Sequence, residues 1–468
     1  MKPEIPDKKP IKKEWLEPIV HRFTETWTNA TSLTLDRIDR HTRSSSAWNQ
    51  FLATDPGFRR GITDLRVSRF GMTNSVEDSI AFLRVVTAFP SIQKLKIDPF
   101  TPASYYPEVS ETKAGVQLAL AKMGIQSEGD KVPDGGLNTD SLALEEIVND
   151  DRDEAWEDVE SDLDSDIGFG WHGMGEQSVL DDGQVLAIAD FLGGAPANLQ
   201  VLEVTGETVF CPFPLRILWE WLRKGGACHL QSLDIRLEYM QPADDLPALA
   251  RYLEAVGSEL KMLKVYTGHK GRDIDPYPGP GEMGDARCIL RQLLRNIVEK
   301  KVFSKSEGIE EATFECIFFY DLAHKHPMSL IEPDKLISSL SGKSLKRLNL
   351  SIWTDCAEAR YSDLEEEASL DEVAWRNADT LIADEKIFPA LKQVVVSVTV
   401  ARDHHFEEEY DLNVEEGDIP AEELSEDHVV QWMEKYMPKC IAKGILEFKH
   451  QKWDDVDQVR FGIPPLEA

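Results

Sequence analysis

One pattern recurs along this chain: an apolar residue, two positions, Leu, one position, then Leu, Ile or Val. Seven copies begin with a large apolar residue: Ile62-Leu65-Val67, Ile92-Leu95-Ile97, Leu199-Leu202-Val204, Leu230-Leu233-Ile235, Leu260-Leu263-Val265, Leu345-Leu348-Leu350 and Leu391-Val394-Val396, the last with Val in the Leu slot. An eighth, Ala30-Leu33-Leu35, begins with a small one. Leu33 to Leu65 is 32 residues, Leu65 to Leu95 is 30, Leu202 to Leu233 is 31 and Leu233 to Leu263 is 30. A near-constant period of this size is the mark of stacked repeats, not of one closed core.

Each copy alternates apolar with polar, as in Leu233-Asp234-Ile235-Arg236-Leu237, which is the period of a strand with one buried face. The segments before the strands have a helical period. Leu246, Leu249, Ala250, Leu253 and Val256 share one helical face, and Gly257 ends the stretch before Leu260. Leu215, Leu218, Trp219 and Leu222 do the same ahead of Gly225-Gly226, and a third helix is expected over Val76 to Ala88, closed by Pro90. A helix–strand unit cannot bury both elements alone, so stacked units should place parallel strands in one sheet and helices on its other side. The expected fold is an α/β solenoid, a horseshoe with strands on the concave face and helices on the convex face.

These units resemble leucine-rich repeats, most of all the long irregular ones of fungal F-box/leucine-rich-repeat-like proteins. The resemblance covers roughly residues 20 to 450, with a gap, and lacks the usual Asn or Cys step after the Leu triplet. It implies a protein that binds other proteins, as the substrate-recognition part of a ubiquitin-ligase complex. In that family a helical F-box binds the ligase adaptor; no L-P-x-E-I-type F-box is found here, where Trp15 to Thr26 reads as a helix leading to the first strand.

The expected organisation is a basic disordered lead (1–14), N-terminal repeats (15–100), an insertion (101–178), C-terminal repeats (179–450) and a tail (451–468). In the C-terminal half, Phe314 to Phe318 is expected as a poorly matching strand. A final unit is expected as helix Asp427–Lys439 with strand Ile445–Phe448, and loops near 268–284, 356–372 and 402–426. Within the insertion, residues 134–166 hold 14 acidic residues against one basic, Arg152. Such a tract repels itself and is expected to be disordered, as a solvated loop or a docking segment for a basic partner. Ser161, followed by Asp162 and Asp164, resembles a phosphorylation site for an acidophilic kinase.

Charge narrows the partners. With 84 acidic and 51 basic residues the net charge is −33, which disfavours nucleic acid and anionic membrane surfaces. No apolar run nears the length of about 20 residues that a membrane helix needs. The six cysteines are scattered, the closest pair 17 residues apart, as in reduced cytoplasmic or nuclear proteins. No signal peptide is visible in Met1 to Glu14.

No catalytic motif passes its own mechanical test, so no enzyme, cofactor or metal site is expected; a metal-dependent enzyme using His404 and His405 is the last-ranked alternative. Gly342-Lys343-Ser344 resembles the end of a phosphate loop, but Ile337 stands where the first Gly belongs and a strand follows where a helix should. Asp162-Leu163-Asp164-Ser165-Asp166 lacks the Gly and the final Glu of a calcium loop. His404-His405 with Glu407 to Glu409, and His324 with His326, match no metal-ligand spacing. The sequons at Asn29 and Asn349 carry no weight, Asn349 falling within an expected strand. A protein partner is therefore expected on the concave face. The residue between the last two apolar positions of each copy gives the contact row: Arg66, Lys96, Glu203, Asp234, Lys264 and Asn349, among others. The next outward position adds Arg236 and Tyr266. Arg66, Arg236 and Tyr266 are the expected hot spots, because interface energy concentrates in aromatic and Arg side chains.

Overall fold

The structure is a computed structural model that describes residues 30–36, 56–71, 76–100, 117, 120–121, 123–125, 180–204, 215–237, 240, 245–266, 282–321, 331–355, 369–401 and 425–450. Among these, strands and helices alternate, and ten strands form one parallel sheet in chain order. The strands are β1 (Ser32–Asp36), β2 (Asp64–Gly71), β3 (Lys94–Phe100), β4 (Val201–Val204), β5 (Ser232–Arg236), β6 (Met262–Tyr266), β7 (Glu311–Asp321), β8 (Arg347–Asp355), β9 (Gln393–Ala401) and β10 (Leu446–His450). The helices are α1 (Pro56–Gly61), α2 (Val76–Thr87), α3 (Asp182–Leu192), α4 (Leu215–Lys224), α5 (Asp245–Val256), α6 (Glu282–Glu299), α7 (Pro333–Ser338), α8 (Ser369–Ala383), α9 (Glu426–Tyr436) and α10 (Pro438–Ala442).

The repeated Leu sets the register. Leu33 lies opposite Leu65, and the column continues through Leu95, Leu202, Leu233 and Leu263. All are buried, as are the residues two positions on, from Leu35 to Val265. A slip by one residue would turn both columns to the other face, so burial specifies the pairing. These columns and the helices form one continuous core. At the entry to each strand a second device repeats. The carbonyls of Thr31, Thr63, Gln93, Gln200, Gln231, Lys261, Glu310 and Lys346 each accept two backbone N–H groups from the next unit.

Strand β3 pairs directly with β4, Lys94 opposite Val201, so the segment assigned to an insertion does not interrupt the sheet. Two of its residues, Leu120 and Ile125, join the core. The expected strand 314–318 is the middle of the longer β7. Ala312, not Phe314, occupies the Leu slot opposite Leu263 and Leu348, so Ile309-Ala312-Phe314 is a copy disguised by Ala. Phe314 stands opposite Val265 and packs on Phe303 with ring centroids 6.2 Å apart.

Helix α4 shows why the helical layer holds. Every residue from Leu215 to Leu222 is buried, including Arg216 and Glu220. Trp219 stacks on Tyr252 of α5 at 5.8 Å, and Trp221 donates from Nε1 to the Gly193 carbonyl at 3.0 Å. The buried Glu220 carboxylate accepts from Arg223 at 2.8 Å and from Arg251 of α5 at 2.7 Å, which compensates its lost hydration.

Two further expectations change. The helix expected over 427–439 is two helices, because Pro438 lacks an N–H and forces Met437 out of helical geometry, to φ −117° and ψ 43°. Asp379 of α8 caps the second one, accepting from the N–H groups of Lys439 and Cys440 at 3.0 and 2.8 Å. The segments expected as loops near 268–284 and 356–372 end in helix, since α6 begins at Glu282 and α8 at Ser369. Among the described residues no helix is long and apolar enough to cross a membrane.

Candidate protein-binding face

The strand residues between the buried columns form the opposite, open face of the sheet. Pairing aligns them in one row: Thr34, Arg66, Lys96, Glu203, Asp234, Lys264, Thr313, Asn349, Val395 and Glu447. A cavity of 640 Å³ lies on this face, with lining residues from every strand from β4 to β10. Glu203, Asp234, Lys264 and Asn349, four of the expected contact residues, line it. Arg66 is exposed and Lys96 half-buried on the same row, but neither lines the cavity.

The charges of the face pair across neighbouring strands. Glu203 takes the Lys94 ammonium at 2.7 Å and has Lys96 at 3.8 Å. That hydrogen bond to Glu203 holds the Lys94 ammonium above its ordinary pKa. Lys264 reaches Glu315 at 3.1 Å, and Arg347 lies 3.9 Å from Glu311 while donating to Gln393 at 2.9 Å. Asn349 donates to Glu311 at 3.0 Å and to Thr313 at 2.9 Å.

Asp234 is the exception. Its register neighbour Lys264 turns to Glu315 instead, and its Oδ1 is buried without a hydrogen-bond partner. Burial pushes its carboxyl up from 3.8 to about 6; the Lys264 charge opposes the rise, and Glu315 and Glu203 add to it.

Two expected hot spots are not exposed. Arg236 and Tyr266 are only 6% and 8% accessible, and the guanidinium stacks over the Tyr266 ring at 4.3 Å. They face each other across β5 and β6, the cation held over the aromatic face, while the Arg236 Nε is buried without a hydrogen-bond partner. Several cavity residues escaped the sequence reading, Glu311, Thr313 and Arg347 among them. Glu311 and Thr313 were hidden by the Ala312 register, and Arg347 sits one row inward from the expected ones.

The phosphate-loop-like Gly342 has a packing role: a Cβ there would lie 1.9 Å from the Ile387 carbonyl oxygen of the next unit. Asn349 is engaged in the sheet, as above. The acidic tract 134–166 with Ser161, and the histidine pairs at 324/326 and 404/405, lie outside the described residues. Among the described residues no three His, Cys, Asp or Glu side chains are grouped so as to hold a metal ion.

No protein-family model matches the sequence, and no curated protein matches it at a significant level.

Proposed function

We propose that this chain is a non-enzymatic protein-interaction module, a leucine-rich-repeat-like solenoid that holds a protein partner on its open sheet face. One observation carries the reading: a single cavity touches residues of seven consecutive strands. At about 4.8 Å per strand, that row spans about 29 Å. One hollow lined by side chains of seven strands gives the face the width that solenoids use to bind extended surfaces. The narrower reading is substrate recognition in a ubiquitin-ligase complex, in the cytoplasm or nucleus; it rests on the repeat resemblance alone.

The test is affinity purification of the tagged chain from its native host beside an Arg347→Glu/Asn349→Lys variant. Loss of the same partners from the variant, with an unchanged melting temperature, supports the reading. Partners retained at full yield by the variant refute use of this face. Recovery of a ligase adaptor and cullin supports the narrower form. A second reading, an acidic scaffold for a basic protein, is favoured by the 14 acidic residues in 134–166. Deleting that tract should then abolish capture and leave the melting temperature unchanged.

A further inference from the structure

The charge pairing of the open face points to what it receives. Glu203 is engaged by Lys94, Glu315 by Lys264 and Glu311 by Asn349, each within 3.1 Å. The charges that looked mixed in sequence are thus largely neutralised within the face. What is left over is one carboxylate, Asp234, with an oxygen buried and unsatisfied beside the cavity. A buried acceptor without a donor is costly, and a charged one more so. Of the seven buried side-chain atoms without a hydrogen-bond partner among the described residues, Asp234 Oδ1 is the one whose residue lines the cavity, where a ligand's donor can reach it.

Resting on the protein-binding reading above, we propose that the cavity seats a lysine or arginine side chain of the partner against Asp234. Three features select a cationic side chain. The site offers a single acceptor carboxylate without a hydrogen-bond donor, which one ammonium or guanidinium satisfies. Glu203 and Glu315 are each paired with a lysine, which leaves the charge of Asp234 as the one that a cationic partner can complete. Ser232, two positions before Asp234 on the same face of its strand, also lines the cavity and offers a hydroxyl oxygen that a multi-donor head can use. A divalent metal is a poorer occupant, because it wants several free carboxylates or carbonyls and here the neighbours are committed. The cavity is also far larger than one side chain needs, so the anchor belongs to a longer segment crossing the strands.

The probe is a phage-displayed library of random 12-residue peptides, selected on the full chain and then measured on Asp234→Asn and Asp234→Glu variants. Asp234→Asn keeps the shape and removes the charge, and its folding is checked by thermal melting. The expected result is enrichment of peptides with Lys or Arg at one shared position. These should bind Asp234→Asn at least about tenfold more weakly, since truncating one partner of a buried charge pair acts on the off-rate. Replacing that basic residue by Ala in the peptide should cost no further affinity on the variant. Peptides that bind the variant within twofold of the parent overturn the cationic anchor and leave the protein-binding face standing. A library that yields no binder overturns both. Binding of Ca²⁺ or Zn²⁺ that Asp234→Asn abolishes overturns the proposal in favour of a metal site.

Discussion

Asp234→Asn should stabilise this protein, and the gain should depend on pH in a defined way. The carboxyl titrates near 3.8 when unperturbed and at about 6 in the folded chain, with burial as the main cause. A raised carboxylate pKa means that the folded state binds the proton more tightly than the unfolded chain does. Its contribution is therefore most favourable at low pH and is lost as pH rises through about 6. The rise corresponds to at most about 3 kcal/mol of destabilisation at pH 7 and above, about half of that at pH 5, and under about 1 kcal/mol at pH 4. Asp234 is not wholly sequestered, so the expected gain for Asp234→Asn at pH 7.5 is about 1–3 kcal/mol. The assay is urea unfolding of parent and variant at pH 7.5, 6, 5 and 4. Taking the difference cancels the titration of the other acidic groups, which both proteins share. A variant equal to or less stable than the parent at pH 7.5, or a gap that does not narrow on acidification, refutes the reasoning.

Other consequences follow from the packing. Trp219→Ala removes a fully buried ring stacked on Tyr252 and should cost about 3–5 kcal/mol by chemical denaturation; a loss under 1 kcal/mol would show that the interface of α4 and α5 is not the core element described. Gly342→Ala places a methyl 1.9 Å from the Ile387 carbonyl and should cost about 1–3 kcal/mol, whereas Gly194→Ala, with nothing within 4 Å, should cost less; equal melting temperatures for the two would contradict the close approach. Asp379→Ala removes both acceptors from the first turn of α10 and should cost about 1–2 kcal/mol, with faster amide exchange at Lys439 and Cys440 as the local readout. Unchanged exchange there would show that the cap is dispensable.

The sheet was legible in the sequence because burial of one strand face demands a period of two, and stacking demands that each copy repeat the same apolar spacing. Leu65, Leu95, Leu233 and Leu263 announce their strands and their mutual register at once. Helices α2, α4 and α5 were legible for the corresponding reason, a period near 3.6 closed by Gly or Pro. Where the spacing signal weakened, so did the reading. Ala312 fills a Leu slot opposite Leu263 and Leu348, a match that the register shows and a search for Leu does not. Pro438 splits a helix whose apolar period runs on through it.

The site divides along the same line. The sequence alone determined which residues face away from the core, since alternation assigns Glu203, Asp234, Lys264 and Asn349 to one side of their strands. Only the tertiary structure decided what each of them does there. Lys264 lies opposite Asp234 in register, yet its ammonium goes to Glu315, a residue 51 positions further along the chain. Arg236 and Tyr266 meet across two strands and are withdrawn from solvent. Outward direction is a property of one strand's backbone and can be read locally. Pairing and burial depend on side chains of neighbouring strands, which stacking alone brings within reach.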